Sequence, residues 1–140
     1  MLSNFNRTGE IRMTKIAIEY NEDKDLMLAE AITRAANMTD LNGIIWLVWT
    51  DHNNLRGHFF HNKMNVLSET DKKTLLNGER LDYGSYYLRS ISREKTSAIR
   101  PGDIAIDCFT GGLYGAVDFR ASALLHLPGS KHENDLLQKY

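Results

Sequence analysis

One cysteine, Cys108, occurs in the 140 residues. No disulfide can form within the chain, and a reducing cytoplasm is the expected compartment. No apolar run approaches the roughly 20 residues that a membrane-spanning helix needs. The longest, residues 44–49, is strand-sized, so no membrane association is expected. Residues 1–12 lack the apolar stretch of a secretory signal and are expected to form a flexible leader. An excess of charge is also missing: 17 Lys and Arg stand against 18 Asp and Glu, a net charge of −1. That weighs against a nucleic-acid binder, whose affinity comes from neutralised phosphates. No Walker, Rossmann, Ser-His-Asp, zinc-finger or EF-hand string is present, so no motif names a reaction and no cofactor is implied.

What remains is ordinary for a folded protein: 42% apolar and 25% charged residues. The length suits one domain, expected over residues 13–130 and followed by a polar tail at 131–140. Residues 14–20 alternate, with Ile16, Ile18 and Tyr20 on one face, as in a half-buried strand. Asn21 is placed as an N-cap, and Leu28, Ala29, Ile32, Ala35 and Ala36 follow the spacing of a helix that buries one face, over residues 22–37. Residues 44–50 are apolar on both faces and predict a central strand with Trp46 and Trp49 on opposite sides.

Beyond residue 50 the turn signals suggest hairpins. Residues 55–61 would return antiparallel to 44–50 after the turn 51–54. Ser68 opens a short helix closed by Asn77-Gly78, and 83–91 reads as a strand with Gly84 as a bulge. Arg100-Pro101-Gly102-Asp103 turns into a strand at 104–109. Gly111 and Gly112 would turn it back along 113–119, with positive φ at one of the two. Residues 121–127 fit a helix or a last strand. The sum is an α+β fold: a mainly antiparallel sheet, one long amphipathic helix packed on it, and one or two short helices.

Four groups could carry chemistry. Asp107-Cys108 with Gly111 resembles the nucleophile motif of a class of cysteine peptidases in which the cysteine opens a helix. The resemblance implies a thiolate at Cys108 and a histidine base, for which His126 and His132 are the candidates. Here, however, Cys108 ends a strand and shares a face with Ile104 and Ile106, as a buried thiol would. His52, His58 and His61 lie within ten residues and are candidate metal ligands, although their spacing fits no metal signature. Aromatic residues are dense, and adjacent Tyr86 and Tyr87 must fall on opposite faces of a strand. Arg89, Arg93, Lys95 and Arg100 surround one loop, interrupted by Glu94.

No catalytic constellation assembles from these residues, which weighs against an enzyme. The reading is a small cytoplasmic binding or regulatory protein that acts by occupying a partner protein's surface. Tyr86, Tyr87, Arg89 and Arg93 are the candidate contacts. A cysteine hydrolase or transferase built on Cys108, and a metal-binding protein built on the three histidines, are the alternatives. A homodimer is compatible with all three.

Overall fold

In the computed structural model, residues 14–39, 43–50, 52–57, 59, 65–109 and 121–133 are described. They form β1 (Thr14–Ala17), α1 (Lys24–Met38), β2 (Gly43–Trp49), α2 (His52–Arg56), α3 (Glu69–Leu76), β3 (Leu81–Asp82) and β4 (Tyr86–Ser92). A short 3₁₀ segment (Arg93–Ala98), β5 (Ile104–Cys108) and β6 (Ala123–Leu127) follow. The six strands make one sheet in the order β1-β6-β5-β2-β4-β3.

Five of these strands run parallel, and only β3 pairs antiparallel, with β4. The expected mainly antiparallel sheet is therefore corrected to a mostly parallel one in a mixed α/β fold. The run 44–50, apolar on both faces, is the pattern of a strand covered on both sides, which parallel sheets require. β2 is indeed interior, between β4 and β5. With both its edges taken, residues 55–61 cannot pair with it, and 52–56 coil instead into α2. β5 is likewise flanked by β2 and β6. Gly111, Gly112 and residues 113–119 themselves lie outside the described residues.

α1 starts two residues later than Asn21 suggests. Asp23 is the N-cap and accepts from the N–H groups of Asp25 and Leu26, while Asn21 holds Asp23 in place through its own side chain. At 15 residues the helix makes about four turns, an ordinary length rather than a long one. Its Leu28, Ala31 and Ala35 pack on the sheet face formed by Ile45, Leu47, Ile106 and Leu125. Trp46, Val48, Ala105 and Leu124 fill the opposite face with Ile99 and Ala121. The two tryptophans do face opposite ways, each buried.

Ser68 caps α3 by accepting from Asp71 N–H, and Gly78 follows at φ +78. Gly84, at φ +87, turns the chain between β3 and β4 rather than bulging one continuous strand. Residues 121–127 resolve in favour of a strand, β6. Among the described residues no helix is long and apolar enough to cross a membrane.

Candidate functional site

β4 carries three of the four sequence-predicted contact residues, and Arg93 follows it directly. Its Tyr, Leu and Ile content suits a strand, and it pairs in parallel with the whole of β2, from Gly43↔Tyr86 to Trp49↔Ser92. On its outer side the pairing is much shorter. β3 meets it only at Leu81↔Leu88 and Asp82↔Tyr87. From Arg89 to Ser92 the outer edge has no strand beside it among the described residues. Tyr83 N–H donates to Tyr86 C=O at 3.0 Å, so Tyr86 turns its backbone polar groups outward. By strand alternation, Ser90, which is buried against the end of α3, and half-buried Ser92 do the same along the stretch that no strand covers among the described residues.

The side chains around this edge are aromatic and basic. Tyr86 and Tyr87 are split between faces, as their adjacency requires. Tyr83 and Tyr86 stack at 5.4 Å on one side, and Tyr83 remains 40% exposed. The Tyr83 hydroxyl donates to Asp71 Oδ2 at 3.0 Å. Burial, then the hydrogen bond and charge of Asp71, push its pKa up, and burial does the same for Tyr86. On the other side the Arg80 guanidinium sits 4.2 Å from the Tyr87 ring, and that of Arg89 sits 5.0 Å from Trp46.

Between the end of α3 and the open edge lies a cleft of about 400 Å³, within the range of ligand pockets. Leu75, Leu76 and Ile91 give it apolar walls, and Arg89, Ser90, Ser92 and Lys95 supply polar groups. Arg89 Nη2 donates to Gly78 O at 3.0 Å, and Ser90 Oγ donates to Leu75 O at 2.7 Å. Arg93 is half-buried at the start of the 3₁₀ segment and does not line the cleft. Arg80, Ser90 and Ser92, which stand beside these residues, were not singled out from the sequence. Their shared position appears only once β3 is seen to stop short of β4's end.

The other candidates are not brought together. Cys108 lies opposite Leu127 and Asp107 opposite His126 in the β5–β6 register, so Cys108 and His126 project from opposite faces. The thiol is fully buried in the α1-side core and donates to Ile106 O at 3.6 Å. Burial raises its pKa well above the ordinary value, and the Asp107 charge adds to this, against a smaller lowering by a Val48 backbone hydrogen bond. Such a thiol is held in the un-nucleophilic form. His126 pairs instead with Asp107, Nδ1 to Oδ2 at 3.2 Å, both side chains buried. His52 opens α2. His58 and His61 lie outside the described residues. Among the described residues no three His, Cys, Asp or Glu side chains are grouped to hold a metal ion.

Comparison with protein families, characterised proteins and solved structures finds no match for this chain.

Proposed function

We propose that this protein works by binding: it occupies a surface of a partner protein through the outer edge of β4. The observation that carries the reading is the stretch Arg89–Ser92, a strand edge with no strand beside it among the described residues and a cleft alongside. An open edge is a template for an added strand, because its backbone N–H and C=O groups already stand at the right repeat. Tyr83, Tyr86, Arg80 and Arg89 around it are of the residue types that dominate binding hot spots. The aromatic pair would cover apolar side chains of the added segment, while the backbone supplies the pairing.

Selection of a random twelve-residue peptide library against the folded chain tests this reading. Peptides that bind should share one site and lose at least tenfold in affinity on Ser92→Pro. That substitution suits the local backbone, since Ser92 already has φ −78 and follows a strand residue, and it removes an outward N–H. A library that yields no binder, or binders indifferent to Ser92→Pro, would contradict it.

A further inference from the structure

We infer that the cleft beside the β4 edge is a carboxylate-binding site, and that the partner segment it receives is an extended, acidic one. The inference rests on the edge-docking reading above and adds the chemistry of the occupant.

Arg89 carries it. Its guanidinium is held on two sides, against the Trp46 ring and by the bond from Nη2 to Gly78 O. Its Nε is shut off from water and so from a ligand, which leaves the terminal amino groups of the guanidinium to receive one. With one hydrogen bond among the described residues, the guanidinium keeps terminal donors for a bound acceptor. The second cation of the lining is Lys95, exposed on the 3₁₀ segment. The described lining residues include no carboxylate, so nothing in the cleft competes for either cation. Hydrogen bonds from a guanidinium to a carboxylate are short and about twice as strong as neutral ones. The Trp46 stacking fixes the fork before the ligand arrives, so little ordering is left to do on binding.

Strand geometry sets the form of the ligand. Alternate side chains of an added segment point to the same face, about 6 to 7 Å apart along it. An acidic residue on the face shared with Arg89 would meet the terminal amino groups of its guanidinium, and another farther along would reach Lys95. A segment with acids at alternate positions therefore satisfies both cations while its backbone pairs with Ser90 and Ser92.

The test uses two capped seven-residue peptides, one alternating Thr and Glu, the other alternating Thr and Gln, titrated into the whole chain. Affinity is read by fluorescence anisotropy, and the Arg89 Nε–Hε resonance by NMR. The Glu peptide should bind at least tenfold tighter than the Gln peptide, shift that resonance, and weaken as salt is raised. Arg89→Lys keeps the charge but removes the planar fork of donors, and should bring the Glu peptide down to the level of the Gln peptide. Equal binding of both peptides would overturn the carboxylate assignment while leaving edge docking intact. Failure of both to bind would overturn both. Succinate or inorganic phosphate binding as tightly as the Glu peptide would overturn the extended-segment assignment. If Arg89→Lys does not fold, a still Nε–Hε resonance in the saturated parent protein would overturn the inference by itself.

Discussion

Asp103 and Trp46, 57 positions apart in the chain, are joined by a 2.9 Å hydrogen bond from the indole Nε1–H to Oδ2. The same carboxylate accepts from Ile44 N–H at 3.2 Å and from Arg100 N–H at 3.1 Å. One buried side chain thus ties the start of β2 to the turn that launches β5, and it positions the ring on which Arg89 rests.

Removing that carboxylate leaves three donors without their acceptor. Asp103→Ala should lower stability by about 3–5 kcal/mol in urea unfolding, and Asp103→Asn, which keeps one acceptor oxygen, by about 1–2 kcal/mol. A loss below about 1 kcal/mol for the alanine variant would mean that water replaces the bonds.

The two tryptophans of β2 should behave alike although they touch different neighbours. Trp49 packs edge-on to Phe59 at 5.5 Å and near Phe109, while Trp46 lies in the smaller opposite core. Each truncation to alanine should cost about 3–5 kcal/mol, the range for large aromatic side chains in cores. Unchanged melting temperatures for both would contradict the interior placement of β2.

Much of this was legible in the sequence. The 44–50 strand with its split tryptophans, α1, the Ser68 cap and the turn at 100–103 all follow from patterns that local chemistry controls. Parallel pairing did not, because it is set by long crossovers, whereas Asn-Gly and Gly-Gly signals describe only local reversals. Residues 55–61 alternate well enough to look like a strand, but β2 offers no edge to them. The contact candidates Tyr86, Tyr87 and Arg89 were visible as an aromatic and basic run. Their meaning depends on β3 being two residues long, a tertiary fact without a sequence signature.

At Cys108 the sign of the pH effect is fixed by the raised thiol pKa. The thiolate forms more easily in the unfolded chain, so the thiol's contribution to stability is complete below the ordinary value of 9.0 and is lost as pH rises beyond it. Parent protein should therefore lose stability above that pH faster than Cys108→Ala, measured by urea unfolding at stepped pH. Tyr83 titrates upward in the same direction, so the difference between the two proteins reports the thiol. Iodoacetamide at neutral pH should modify the folded protein slowly, and rapid modification would revive a reactive cysteine.

Two glycines should respond oppositely to alanine. A Cβ at Gly129 would lie 2.6 Å from Phe109 O, a backbone atom that cannot swing away, where the ends of β5 and β6 converge. Gly129→Ala should cost about 1–3 kcal/mol through overpacking. At Gly57 nothing lies within 4 Å, and Gly57→Ala should stay within about 0.5 kcal/mol of the parent. Thermal melts of the pair check both.

Amide exchange at Ser90 and Ser92 tests the central claim most directly. In the free protein both N–H groups, which no strand covers among the described residues, should exchange faster than those of interior β5, half-buried Ser92 more so than buried Ser90. Saturation with the Thr-Glu peptide should slow both by at least tenfold while the β5 amides stay as they were. If Ser90 and Ser92 are already protected without peptide, or remain fast when it is bound, the outer edge of β4 is not where this protein takes its partner.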